Sequence, residues 1–248
     1  MKLLKQLVRR RLRRFLGLDE FEHLDRAVID LADVGQLRRA FGWTEQGVVD
    51  DPWFRQYRFL TDINDRPMRD AEVLATVVRN AEPGTCLEIG TAAGHGTALI
   101  AQNAPEATVH TVNIPPEEFD AGGELTTVKM SRDEIGAYYR EQGLSNIRQI
   151  YANTADWAPD FGPIDVAFID GCHDADFVYN DTRKVLERCG PGSFILWHDF
   201  APDLVRRYDW VHSVCTGVER LFRDGLLDGR VLHVRDSWVG VHRIPEEH

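Results

Sequence analysis

From residue 85 to residue 200, short apolar runs alternate with stretches of helical periodicity. Residues 86–89, 108–112, Ile147–Tyr151, Ile164–Ile169 and 194–197 each read as a strand. The run Ile164–Ile169 is almost continuously apolar, the pattern of a strand covered on both faces. Between the runs lie predicted helices. One spans 67–81, with Pro67 at its start, Ala71, Val73, Leu74, Val77 and Val78 on its apolar side, and Pro83-Gly84 ending it. A second begins over 97–102, and a third covers 177–188. Residues 189–192 (Cys-Gly-Pro-Gly) predict a turn into the fifth strand. Farther on, 231–234 and 238–241 flank Arg235-Asp236-Ser237 as a hairpin. Strand–helix alternation followed by a hairpin implies an α/β domain of three layers around a mostly parallel sheet.

The first 66 residues follow a different pattern. Leu4, Leu7, Val8, Leu12, Phe15 and Leu16 recur at helical spacing among Lys and Arg, so residues 1–16 predict a basic amphipathic helix. Residues 20–60 carry Trp43, Trp53, Phe54, Tyr57 and Phe59, and read as short helices and loops over one end of the main domain. The chain is therefore expected to divide at 1–66, a helical extension, and 67–248, the α/β domain.

Charge sharpens this division. Of 29 basic residues, seven (Lys2, Lys5, Arg9, Arg10, Arg11, Arg13, Arg14) fall within residues 1–14, which hold no acid. Beyond them 22 basic residues face 40 acidic ones. An acidic body excludes a general nucleic-acid binder, which needs a basic face for phosphate. The basic helix suits either peripheral contact with an anionic membrane surface or packing on protein, including a second copy of the chain. Cys86, Cys172, Cys189 and Cys215 are scattered without zinc spacing, and arginines interrupt any signal-peptide core, so a cytoplasmic location is expected.

The stretch from Leu87 to Thr97 concentrates chemistry. Gly90, Gly94 and Gly96 lie between a predicted strand and a helix, where a glycine turn lets backbone approach a ligand. The order G-x-x-x-G-x-G after Glu88 is neither the dinucleotide G-x-G-x-x-G nor a P-loop, which needs Gly-Lys-Ser/Thr. A tight turn without ligand is the plain alternative. With this turn, and with Phe168-Ile169-Asp170-Gly171-Cys172-His173 and Trp197-His198-Asp199 after it, the chain resembles the class I S-adenosylmethionine-dependent methyltransferases. Within these it looks like the bacterial branch that O-methylates sugars and antibiotics. The resemblance covers 67–200.

That resemblance implies a Rossmann-like methyltransferase sheet and S-adenosylmethionine as cofactor, held by Glu88, Gly90, Thr91, Ala92, Gly94 and Gly96. It adds Asn113 and Ile114 after the second strand, Asn153 and Thr154 after the third, and Asp170 after the fourth. The family usually has an acid where Asn113 stands. Asp170 and Asp199 match two ligands of a Mg2+ ion in metal-dependent relatives, whose third ligand position is Phe200 here. The other reading makes Asp170 orient the cofactor and Asp199 cap a helix. His173 matches the general base, with Asp170 and Asp199 beside it. The implied reaction moves a methyl group to a hydroxyl oxygen of a small molecule or glycan sugar. The acceptor would be gripped by parts of 20–66, 171–180 and 199–215. His95, Trp157 and Trp197 read as packing residues, and Tyr179 and Asp181 as solvated or capping ones. Two other functions remain open on sequence alone: a non-catalytic scaffold of the same fold, and a nicotinamide-dependent oxidoreductase.

Overall fold

A computed structural model of the chain describes residues 20–57, 66–125 and 128–246. The expected basic helix over 1–16 and Phe59 lie outside the described residues. In chain order the elements are α1 (Leu24–Ala27), β1 (Val28–Leu31), α2 (Val34–Phe41), α3 (Pro52–Arg55), α4 (Pro67–Ala81), β2 (Thr85–Ile89), α5 (His95–Asn103) and β3 (Thr108–Asn113). A 3-10 turn (Pro116–Ala121) follows. Then come α6 (Ala137–Glu141), β4 (Ile147–Tyr151), β5 (Ile164–Ile169), α7 (Ala175–Leu186), β6 (Cys189–Trp197), α8 (Asp209–Arg223), β7 (Val231–Val234) and β8 (Gly240–Arg243).

Among the described residues the strands form one sheet of eight, in the order β1-β7-β8-β6-β5-β2-β3-β4. Neighbours pair in parallel except at β8, which runs antiparallel to β6 and β7. The predicted α/β class with a terminal antiparallel hairpin is thus observed. The chain builds outward from β2 through β3 to β4, then returns to the other side of β2 with β5 and β6. Order reverses between β2 and β5, and the crevice beyond their carboxyl ends is where ligands bind in open sheets of this kind.

Helices cover both faces. Apolar residues of α2, α4 and α5 pack with Cys86, Val109, Val166 and Phe194 on one side. Those of α1, α7 and α8 pack with Leu87, Val112, Ala167 and Ile195 on the other. Side chains alternate along each strand, so adjacent residues of β2, β3, β5 and β6 serve opposite layers.

Four details differ from the sequence expectation. Residues 189–192, expected as a turn, already belong to β6. Residues 28–31 add an edge strand to the sheet, paired with β7, where short helices and loops were expected. The second hairpin strand starts at Gly240 rather than Trp238, whose backbone N–H and carbonyl are taken by Asp70 and by the Phe200 N–H instead of a strand partner. Residues 209–215, expected as an acceptor loop, open helix α8. Val211, Val214, Cys215, Val218 and Leu221 are the signal for that helix, recurring at three and four residues and all buried.

Candidate active site

Three neighbouring strands end side by side. Gly90 N–H donates to Val112 carbonyl at 2.8 Å, Asp170 N–H to Ile89 carbonyl at 2.8 Å, and His198 N–H to Ile169 carbonyl at 3.0 Å. Each ladder thus runs one residue past its strand and aligns Gly90, Asp170 and His198 across β2, β5 and β6. Gly90 has φ 105°, and a Cβ there would stand 1.9 Å from the Asp170 carbonyl oxygen. Only glycine fits this crossing. Asp199, the next residue after His198, has φ 52°, left-handed backbone that costs a non-glycine residue of order 1–3 kcal/mol. Its neighbour Phe200 is fully buried and donates its N–H to the Trp238 carbonyl at 2.8 Å, which pins the turn.

Around this edge two imidazoles meet three carboxylates. His173 Nε2 lies 2.9 Å from Asp199 Oδ2. His198 Nδ1 lies 3.1 Å from the same oxygen and 3.1 Å from Asp170 Oδ1. On its other side His198 Nε2 faces Asp70 Oδ2, from α4, at 3.4 Å. Trp210 donates its indole N–H to Asp199 Oδ1 at 3.0 Å, and the Trp238 backbone N–H donates to Asp70 Oδ1. His173 Nδ1 is buried with no hydrogen-bond partner among the described residues.

Burial and charge oppose one another here. Burial disfavours a charged imidazole, yet Asp170 and Asp199 hold the His198 pKa well above its ordinary 6.5. Burial likewise works against His173 and is overcome by Asp199, so its pKa is also raised. Burial alone would raise Asp199, but the His198 charge and the His173 hydrogen bond hold its carboxyl well below the usual range. For Asp70, burial outweighs His198 and raises the pKa.

Two cavities open on the cluster. The first, about 270 Å³, is lined by Gly90, Ala92, Asn113, Ile114, Asn153, Thr154, Asp170, His173, His198 and Asp199 among others. The second, about 320 Å³, lies beneath the glycine turn against α4, with Glu88, Gly90, Thr91, Ala92, Gly94, Gly96, Asp70, Asp170 and His198 in its wall. Every residue singled out from the sequence as cofactor-binding or catalytic therefore lines one cavity or the other. Gly90, Ala92, Asp170 and His198 line both.

Glu88 is 1 % exposed and accepts from Thr97 and Thr111, the latter at 2.6 Å. Burial pushes its carboxyl up to about 8 despite these bonds. A Cβ on Gly96 would stand 2.5 Å from Glu88 Oε1, so only the bare turn leaves room for that oxygen. Asn113 accepts from the Ala92 N–H at 3.0 Å and donates to its neighbour Ile114 carbonyl at 2.9 Å. It pins the glycine turn, whose Ala92 has φ 44°.

Sequence reasoning missed Asp70 and Trp210, and it named His198 only as part of the Trp197-His198-Asp199 motif. Asp70 carried a signal, since it stands three and four residues before Val73 and Leu74 on the apolar stripe of α4. Trp210 carried none. Asp181, expected to be solvated or capping, is instead buried, and burial raises its carboxyl to about 7. Trp197 is fully buried and bonded to Thr182 at 2.9 Å, in keeping with packing. His95 stacks on Tyr138 and Trp53 and pairs with Asp51 at 2.6 Å.

Asp170, His173 and Asp199 each bring one ligand atom within 4.8 Å of the others. As arranged, this set does not fit the magnesium ion implied by the resemblance. Magnesium takes oxygen ligands, one donor here is an imidazole, and His198 Nδ1 already sits 3.1 Å from both carboxylates. The third ligand position, Phe200, is apolar and enclosed.

Residues 87–200 match the sequence family described as a methyltransferase domain. That match spans 114 of the chain's 248 residues. No curated protein matches it significantly by sequence. Solved structures establish the fold. The cofactor-bound Rv0187 protein from MTB is 17 % identical, with a TM-score of 0.56, covering 86 % of this chain and 96 % of its own. TomG from Streptomyces achromogenes, an O-methyltransferase of tomaymycin synthesis solved with SAM, is 15 % identical, with a TM-score of 0.52 and coverage of 85 % and 86 %. The methyltransferase PaMTH1 from Podospora anserina, bound to SAH, is 19 % identical, with a TM-score of 0.51 and coverage of 87 % and 95 %. The resemblance read from the glycine turn is thus borne out for the fold and the domain. The fold is Rossmann-like, similar to that of these methyltransferase structures, and among the described residues no helix is long and apolar enough to cross a membrane.

Proposed function

We propose that the chain moves a methyl group from S-adenosylmethionine to a hydroxyl oxygen of a small molecule or a glycan sugar. The observation that carries this reading is the His173–Asp199 pair at the rim of a cleft floored by the glycine turn. Bound S-adenosylmethionine supplies the methyl group already activated on its sulfonium. The chain's residues then have three tasks: to orient, to exclude water, and to take the acceptor's proton.

Asn113, Ile114, Asn153 and Thr154 line the cleft where an adenosine would lie, and Glu88, Gly94 and Gly96 line the chamber beneath the turn. Asp170 stands in the wall of both and would orient what crosses between them. His173 Nε2–H donates to Asp199, which leaves the lone pair on Nδ1; that atom is enclosed, so the acceptor's hydroxyl must displace its covering to be deprotonated there. Asp199 stabilises the imidazolium so formed. His198, 3.1 Å from both Asp170 and Asp199, bridges the two acids.

The test is a screen of hydroxylated acceptors with methyl-labelled cofactor, comparing the native chain with His173→Ala. Loss of a general base lowers turnover by about a hundredfold or more. The account expects that loss with S-adenosylhomocysteine affinity nearly intact. Equal turnover by the two proteins would remove His173 from the mechanism.

A further inference from the structure

Asp199 divides its oxygens. Oδ2 faces both imidazoles, His173 Nε2 at 2.9 Å and His198 Nδ1 at 3.1 Å. Oδ1 accepts the Trp210 indole N–H at 3.0 Å. A carboxylate turns easily about its last torsion, since that rotation is broad rather than confined to narrow wells. The indole N–H is the contact that stops this rotation from the side away from the imidazoles. Trp210 is itself held: its ring packs on Tyr208 at 4.7 Å and near Trp238 at 6.5 Å. The Trp238 backbone in turn binds Asp70 and Phe200. One rigid aromatic unit therefore grips the carboxylates on either side of His198, Asp199 through an indole and Asp70 through a backbone amide.

We propose that Trp210 is a positioning residue for the transfer, acting through Asp199 to aim His173 at the acceptor. This rests on the function proposed above. Trp210 opens α8, so the helix that follows β6 sets the rotation of the carboxylate at the end of β6.

The full chain, labelled with 15N-tryptophan, gives six indole signals, one per tryptophan. Trp210→Phe, or Trp210→Tyr should the first not fold, identifies the Trp210 signal by its loss. In Asp199→Asn that signal is expected to shift most among the six, because its acceptor has lost its charge. With an acceptor that turns over, Trp210→Phe is expected to lower kcat about tenfold or more, the ratio that a hydrogen bond to a charged group carries, with KM and S-adenosylhomocysteine affinity held. An unmoved Trp210 signal in Asp199→Asn would overturn the proposal. So would native kcat in Trp210→Phe. Failure of the native chain to bind S-adenosylhomocysteine would instead strike the function itself, and the indole spectrum would still read the Trp210–Asp199 contact.

Discussion

Glu88 offers a prediction whose sign can be worked out fully. Its carboxyl is enclosed, and burial raises its pKa from 4.5 to about 8. Between those values the unfolded chain releases a proton that the folded chain keeps, so stability falls as pH rises through that window. At pH 7 the mismatch costs on the order of 3 kcal/mol, at about 1.4 kcal/mol for each pH unit above 4.5. Glu88→Gln removes the titration and keeps an oxygen to accept from Thr97 and Thr111. The buried amide hydrogens it introduces cost about 1–2 kcal/mol. The net is a variant about 1–2 kcal/mol more stable than the native chain at pH 7, and no more stable at pH 4.5. Urea unfolding at both pH values measures this, as a rise in midpoint at pH 7 with unchanged slope. A variant destabilised equally at pH 4.5 and pH 7 would refute the reasoning, since it would show Glu88 ionised and satisfied in the fold.

Further outcomes follow from the same geometry. The pKa of His173 is raised, so kcat should rise with pH along an acid limb centred above 6.5, and Asp199→Asn should move that limb to lower pH by removing the charge that favours the imidazolium. Transfer should persist in chelator, because His198 occupies the position between Asp170 and Asp199; a strict metal requirement would contradict the arrangement. Gly90→Ala should cost at least about 3 kcal/mol, measured by urea unfolding, since its Cβ would meet backbone 1.9 Å away at a positive φ; a loss under 1 kcal/mol would contradict the crossing described.

The sheet was legible where strands are covered on both faces. Residues 86–89, 164–169 and 194–197 are covered on both faces, and that need is written locally as nearly continuous apolar runs. β1 was not legible: four residues with an aspartate inside them gain strand character only from Val231–Val234, about 200 positions away. Charged and aromatic residues at the site divide in the same way. Asp170, His173 and Asp199 stand next to strand ends, so topology alone brings them together. Asp70 and Trp210 reach the site from helices, and a side chain on a helix reveals its target only once that helix is docked. Asp70 meets the Trp238 backbone 168 residues farther on. Asp181 was misjudged because it sits in a run of polar residues on its helix, yet it and its neighbour Thr182, bonded to Trp197, are both buried.

The most direct test of the account is calorimetric titration of the full chain with S-adenosylhomocysteine, run beside NADH. The two ligands both carry an adenosine, so they compete for the same reading of the cleft and differ in what the glycine turn and Asn113 admit. Binding of S-adenosylhomocysteine without binding of NADH is the predicted result. Binding of NADH alone, or of neither, would contradict the proposed methyl transfer.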